Sequence, residues 1–153
     1  MHPKHHILLG AITTFLIFLI SGINSLEASI IFLASFLIDI DHYLIYIISS
    51  KNISLKKARN YFFNWRKKWL EMPIKKRENY KRPILFLHGI EFVLLLIILG
   101  IFNNLFLFIL IGITMHLFFD YMDILIVQEP LYCKFSQVYV HMTNKRKKSV
   151  SLV

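Results

Sequence analysis

The stretch that decides the fold is residues 28–50, ASIIFLASFLIDIDHYLIYIISS, an apolar run interrupted at Asp39, Asp41 and His42. As an α-helix, its 23 residues would cross the roughly 30 Å of hydrocarbon in a bilayer. Ionisable side chains inside a membrane are unfavourable unless they are paired or bind an ion. The run therefore predicts a transmembrane helix, and its three ionisable residues form a hypothesis for a functional site.

Three further apolar runs, over residues 7–22, 83–102 and 105–127, have a comparable length. Because 56% of all residues are also hydrophobic, we predict an all-α, polytopic membrane protein. Its four transmembrane helices would form one bundle, as a single domain of residues 1–153. The first run, with the basic head before it, also has the composition of a signal peptide, but no small-x-small cleavage site follows it and further spans do.

The connector of residues 51–82 is strongly basic, with twelve Lys or Arg residues against Glu71 and Glu78. Aromatic residues alternate with these cations between Tyr61 and Trp69, which is typical of an amphipathic helix that contacts lipid headgroups. We therefore predict that membrane lipids are partners of this connector. We expect no nucleic-acid partner, because the chain contains no motif that reads bases.

The distribution of charge predicts the orientation of the chain in the membrane. With four spans, the head, the connector and the tail of residues 128–153 lie on one side, and they hold all eighteen Lys and Arg residues. The opposite side carries one charge, Glu27. Since cytoplasmic loops are enriched in Lys and Arg, we predict an inner-membrane protein with both termini in the cytoplasm.

Three of the predicted spans carry ionisable residues at helical spacing, so that each set shares one helix face. The sets are Asp39 with His42, His88 with Glu91, and His116 with Asp120 and Asp123. At about 1.5 Å per residue, all of them lie in the cytoplasmic half at overlapping depths, with His6 at the rim. Asp41 points away from Asp39 on an ideal helix. It would therefore support the ligands from behind, lie on a bent segment, or face the connector.

These residue types predict a site for a divalent metal ion. Imidazole and carboxylate groups are the usual protein ligands of zinc and related ions, and pairs on one helix face lie at chelating distance. The predicted ligands are His6, Asp39, His42, His88, Glu91, His116 and Asp120. The set exceeds one tetrahedral shell, so we predict one or two ions, with zinc as the best match. Asp39, Asp41 and Glu91 are the catalytic candidates, for hydrolysis of a phosphoester such as a phospholipid.

Other interpretations use the same residues. Histidine and aspartate pairs can serve as hydrogen bonds between transmembrane helices, or the set can bind or conduct a cation or a proton. Conduction across the membrane is disfavoured because Glu27 is the only ionisable residue predicted near the outer side. A third interpretation is an interaction protein whose connector docks a partner.

Four short motifs resemble those of the membrane-bound metal-dependent hydrolases, a family of LexA-regulated inner-membrane hydrolases placed with zinc-dependent phospholipase C and P1-type nucleases. The motifs begin at His6 (HILLG), Asp39 (DIDH), Leu87 (LHG) and His116 (HLFFD). The resemblance implies a helical membrane fold, a histidine-rich metal site and hydrolysis of a phosphoester. One histidine of the family pattern is absent, because this chain has Lys81-Arg82-Pro83 where the family usually has His-Arg-Gly.

Overall fold

The computed structural model describes residues 3–148, so His2 and residues 149–153 of the predicted tail lie outside the described part. Within residues 3–148 the chain is helical and contains no strand beyond one isolated bridge between Tyr80 and Lys148. The predicted all-α class is confirmed.

Nine α-helices follow one another along the described chain. They are α1 (Pro3–Ser21), α2 (Ser25–Leu37), α3 (Ile40–Ser50), α4 (Leu55–Glu71), α5 (Ile74–Arg77), α6 (Ile90–Phe102), α7 (Leu105–Ile126), α8 (Tyr132–Phe135) and α9 (Gln137–Asn144). A short 3₁₀ turn, Phe86–His88, precedes α6.

Three segments of the described chain are long and apolar enough to cross a membrane: Lys4–Ser21, Ser25–Ser50 and Leu105–Ile126. The fourth predicted span, residues 83–102, is not confirmed, because only the 13 residues of α6 form an α-helix there. At 1.5 Å per residue α6 is about 20 Å long, which is less than the hydrocarbon thickness. Pro83 lacks a backbone donor, and residues 81–85 before the 3₁₀ turn form no regular secondary structure.

The second predicted span is broken at Ile38 and Asp39, which separate α2 from α3. Around the break the backbone bonds join residues three apart, from Asp39 N to Phe36 O (3.2 Å) and from Asp41 N to Ile38 O (3.3 Å). This tighter winding rotates Asp41 relative to its place on an ideal helix. Asp41 therefore lies on a bent segment, which was one of the positions that the sequence left open.

Small residues allow α1, α2 and α7 to pack closely, as is common between transmembrane helices. α7 packs along α2, and α1 packs against both of them. A Cβ atom at Gly112 of α7 would lie 2.9 Å from the Cβ of Ala34 in α2, and one at Gly10 of α1 would clash with Ser35. This close approach brings His6, Asp39 and His116 to the same level of the bundle.

Substitution of Gly112 by valine is expected to lower the stability of the bundle. The added side chain has no space against Ile31 and Ala34, and overpacking a tight contact typically costs about 1–3 kcal/mol. Thermal unfolding in detergent should show a clear decrease in Tm. The matched control is Ile111→Val on the exposed face of α7, which should unfold like the wild type. Equal Tm values for both variants would contradict the close packing.

The predicted connector and tail are largely helical. The connector contains α4, which packs against α3 and is capped by Ser54, whose hydroxyl accepts from the backbone N–H of Lys57. The tail contains α8 and α9, which fold back so that Ser136 and Gln137 bond to Glu91 at the start of α6. The tail therefore closes one end of the bundle rather than extending away from it.

Candidate metal centre

Six of the predicted ligands converge between α1, the α2–α3 break, the start of α6 and α7. They form three overlapping groups whose ligand atoms lie within 4.8 Å of one another: His6, Asp39 and His116; Asp39, His42 and His88; and His88, His116 and Asp120. Any two of these groups share one residue. Each group could hold a metal ion, so the set forms a compact cluster rather than separate pairs.

The distances at the centre of the cluster suit a tetrahedral ion. Asp39 Oδ1 lies 3.6 Å from Nε2 of His88 and 3.6 Å from Nε2 of His116. Asp120 Oδ2 lies 3.7 Å and 3.3 Å from the same two atoms. Ligands at 2.0–2.2 Å from a tetrahedral zinc ion would be about 3.4 Å apart, which is close to these four distances, and His88, His116 and Asp120 form one of the three groups that could hold an ion.

The second ring nitrogens of the two central histidines fix their orientation. His88 Nδ1 lies 3.3 Å from Asp41 Oδ2, and His116 Nδ1 lies 2.7 Å from the backbone carbonyl of Ser35. Because a carbonyl or carboxylate oxygen only accepts, each Nδ1 carries the proton. In the neutral form of each ring, Nε2 then carries a lone pair, as in most histidines that bind metals.

The Nε2 atoms of His88 and His116 are buried and have no hydrogen-bond partner within residues 3–148. They face the oxygens of Asp39 and Asp120, which are also acceptors when ionised. The Lys134 ammonium bonds to Asp120 Oδ2, but neither Nε2 atom has a donor within the described chain, and buried lone pairs that face carboxylates without a donor are unfavourable. A bound cation would satisfy all four atoms, which is why this donor set fits a divalent metal ion.

His6 and His42 each contact a different one of the two central histidines. The ring of His6 stacks on that of His116 with 4.0 Å between centroids, and its Nε2 lies 3.3 Å from Asp120 Oδ1. His42 Nε2 lies 3.8 Å from Asp39 Oδ1, and its ring meets that of His88 edge-on. These positions could supply ligands to a second ion that shares Asp39 or Asp120 with the first.

Asp41 lies behind the ligands and is absent from all three groups. Its Oδ2 accepts from the backbone N–H of Leu87 at 2.6 Å as well as contacting His88 Nδ1. The side chain is buried. Asp41 thus links the α2–α3 break to the turn before α6 and orients His88, whereas a catalytic role had also been predicted for it.

Replacement of Asp41 by alanine is expected to weaken metal binding about 10–100-fold, the usual effect of removing a carboxylate that orients a histidine ligand. Titration of the chelator-treated protein with zinc would measure this change. The matched control is Asp123→Ala, which removes a carboxylate of α7 that lies outside the three groups. An equal affinity for Asp41→Ala and wild type would show that His88 is oriented without Asp41.

Glu91 and Asp123 lie outside the cluster. Both carboxylate oxygens of Glu91 accept from the start of α9, from Ser136 Oγ (2.6 Å) and from the N–H groups of residues 137 and 138 (3.2 Å each). Asp123 forms a bidentate pair with Arg66 of α4, with two contacts of 2.9 Å. The structure thus places the predicted ligand and catalytic candidate Glu91 where it caps a helix, because the tail returns to it.

Lys134 of α8 was missed by the sequence analysis, which treated it as one of the tail cations. Its ammonium group bonds to Asp120 Oδ2, the same oxygen that faces His88 and His116. The helical periodicity of the sequence could not predict this contact, because Lys134 reaches Asp120 only where the chain folds back after α7. The neighbouring Cys133 is not part of any group, and burial raises the pKa of its thiol to about 11, so it stays protonated near neutral pH.

The chain was compared with family models, with curated proteins and with solved structures, and none of the three comparisons gives a match. The resemblance to membrane-bound metal-dependent hydrolases therefore remains a prediction from four short motifs.

Proposed function

We propose that the chain is a membrane-embedded, metal-dependent hydrolase of a phosphoester. The observation that carries the proposal is the pair of buried Nε2 atoms of His88 and His116, which lack donors and face two carboxylates. A divalent ion in this position would lower the pKa of a bound water and neutralise charge on a phosphate. The four motifs of the resembling family support the same reaction class.

The residues of the cluster divide into roles. Asp39, His88, His116 and Asp120 would hold one ion, and His6 and His42 would contribute to a second. Asp39 is the catalytic candidate best placed to accept a proton from water, because its side chain is 22% exposed, whereas that of Asp41 is 5% exposed and Glu91 caps α9. His42, at 31% exposed, lies beside it and contacts Phe62 of α4 edge-on. Substrate would therefore enter between α3 and α4.

The proposed membrane placement puts this opening on the cytoplasmic side. The connector and the tail, which hold most of the Lys and Arg residues, lie at the same end of the bundle as the cluster. Exposed apolar residues on α4, such as Phe63 and Leu70, would enter the headgroup layer, while the cations contact anionic lipid. In the same proposed placement, α6 lies in the membrane as a fourth, shorter helix.

Hydrolysis of bis(p-nitrophenyl) phosphate and of phosphatidylglycerol in mixed micelles tests the proposal. Protein purified in detergent should cleave at least one substrate, lose the activity with a chelator and regain it with zinc or manganese. The variant His116→Gln should be inactive, and Asp123→Asn should retain activity. A protein that binds metal, cleaves neither substrate and carries the metal across proteoliposomes would instead be the transporter that was considered from the sequence.

Replacement of Lys134 by methionine is expected to strengthen metal binding about tenfold or more. The Lys134 ammonium and a metal ion need the same oxygen of Asp120, and a charge-assisted hydrogen bond of this kind contributes roughly 1.5–3 kcal/mol. Zinc titration of the chelator-treated variant measures the effect, with Lys67→Met on the exposed face of α4 as the control. Weaker binding in Lys134→Met would show that Lys134 positions Asp120 for the metal instead of competing with it.

A further inference from the structure

A second cluster of buried charges lies where the connector, the end of α7 and the tail meet. We call it the Arg82 cluster; it consists of Trp69, Arg77, Arg82, Glu129, Tyr132 and Lys147. Glu129 is its only carboxylate. It accepts from Trp69 Nε1 at 2.7 Å, from Arg77 Nη1 at 3.0 Å and from Arg82 Nη1. None of these residues belongs to the candidate metal centre.

Each of the three side-chain nitrogens of Arg77 donates a hydrogen bond. Its Nε donates to Met72 O (2.9 Å), its Nη2 to Leu70 O (2.9 Å), and its Nη1 to Val127 O (3.2 Å) as well as to Glu129. It therefore joins the end of α4 to the end of α7. Its contacts explain its burial without any ligand.

Arg82 is buried to the same degree but uses only part of its guanidinium group. Its Nη1 bonds to Glu129, whereas its Nε and Nη2 have no hydrogen-bond partner within residues 3–148. The side chain is 93% buried, since it is 7% exposed. Leaving a buried cationic donor without an acceptor costs more free energy than a typical hydrogen bond contributes. The arrangement lacks an acceptor for these two atoms.

The cluster around Arg82 also carries more positive than negative charge. Glu129 neutralises one of the two guanidinium groups. Burial is the largest single effect and lowers the pKa of Arg82, but the hydrogen bond to Glu129 and the electrostatic effects of Cys133, Glu129 and Tyr132 together outweigh it, so that this pKa is raised above its usual value. Tyr132 lies next to Arg82, with 5.7 Å from the guanidinium carbon to the ring centroid, and its hydroxyl lies 3.1 Å from Lys147 Nζ. The backbone of Lys148 bonds to Asn79 and Lys81, which holds this part of the tail against the connector.

We propose that the Arg82 cluster binds a phosphate group, supplied by the headgroup of an anionic phospholipid or by a free phosphate. The free N–H groups of Arg82, the Tyr132 hydroxyl and the Lys147 ammonium are the donors that a phosphate oxygen requires. Glu129 lies three residues beyond the end of α7 at Ile126. In the proposed membrane placement this is the level of the lipid headgroups, where basic sites between helices bind anionic lipids. The proposal does not depend on the hydrolase function.

Two binding measurements on the full-length protein in uncharged detergent test the proposal. Isothermal titration uses inorganic phosphate, and native mass spectrometry counts bound phosphatidylglycerol against phosphatidylcholine. Both are made in a chelator, so that phosphate cannot bind through a metal ion. Binding of phosphate alone would identify a free anion as the ligand, and preferential retention of phosphatidylglycerol would identify a headgroup; either result supports the site. Binding of neither probe would overturn it.

The variants locate the binding at this cluster. Lys147→Gln and Tyr132→Phe keep the pairs between Glu129 and the arginines, so the protein should fold, and each should weaken binding about tenfold or somewhat less. Arg82→Gln should abolish binding. The matched control is Arg66→Gln, which removes a connector arginine that is paired with Asp123. If Lys147→Gln and Tyr132→Phe bound the probes as tightly as the wild type and Arg66→Gln, the proposed site would be wrong.

Discussion

Replacement of Asp120 by asparagine is expected to remove bound metal from the protein. Asp120 lies at the centre of the candidate site: one of its oxygens faces His88 and His116, and the other lies 3.3 Å from His6. An amide keeps the shape of the side chain but loses the negative charge that balances a divalent ion. The loss of affinity should exceed the roughly 10–100-fold effect of removing a group that only orients a ligand.

Metal analysis of protein purified in detergent measures this loss as metal ions per chain. Asp123→Asn is the matched control, because it makes the same substitution one turn further along α7 in a carboxylate that pairs with Arg66. The fold is checked by circular dichroism, since Asp120→Asn would also remove the carboxylate that neutralises Lys134. A second variant, His116→Gln, removes one central ligand without touching that ion pair.

Several results would contradict the candidate site. Metal content equal to wild type in both Asp120→Asn and His116→Gln would place any bound ion elsewhere. Wild-type protein that holds no zinc, manganese or iron after growth and purification with these metals would show that the cluster is satisfied by its own ion pairs. In that case Lys134 would be the resident cation of the site, and the hydrogen-bonding interpretation of the histidine and aspartate pairs would be correct.

The sequence predicted the parts of this site that depend on helical periodicity. His116 and Asp120 are one turn apart on a long, regular helix, and they lie together as expected. Asp39 and Asp41 depend on a local break of the second apolar run, and the helical wheel alone left three positions open for Asp41. Nothing in the periodicity of residues 28–50 specifies where the backbone bonds shorten from four residues to three.

The parts that the sequence missed all depend on the return of the tail. Glu91 was grouped with His88 because the two are three residues apart, but His88 lies in a 3₁₀ turn before α6 and Glu91 caps α9. Both Lys134 and Glu129 follow α7 in the chain. Lys134 contacts the site, and Glu129 contacts the connector. Contacts of this kind join residues 14 to 60 positions apart in the chain, and the local composition does not predict them. The basic tail was therefore predicted from its charge alone.

The largest expected change in stability follows from replacing Glu129. This side chain is 9% exposed and is the counter-ion of two buried guanidinium groups, those of Arg77 and Arg82. Removal of one partner from a buried ion pair typically destabilises a protein by about 3–5 kcal/mol, because the other charge stays buried without compensation. Glu129→Gln keeps the size of the side chain, so its effect reports the lost charge rather than a cavity.

Thermal unfolding in detergent should therefore show a large decrease in Tm for Glu129→Gln. The matched control is Glu71→Gln, which removes a carboxylate that is 63% exposed and lies 4.0 Å from Lys67; exposed pairs of this kind contribute about 0–1 kcal/mol. Arg77 ties α4 to the end of α7 through Glu129, so the variant should also make the connector more accessible to protease. Similar Tm values for the two variants would mean that solvent or another anion reaches Arg77 and Arg82, and that the carboxylate is not what holds the connector against α7.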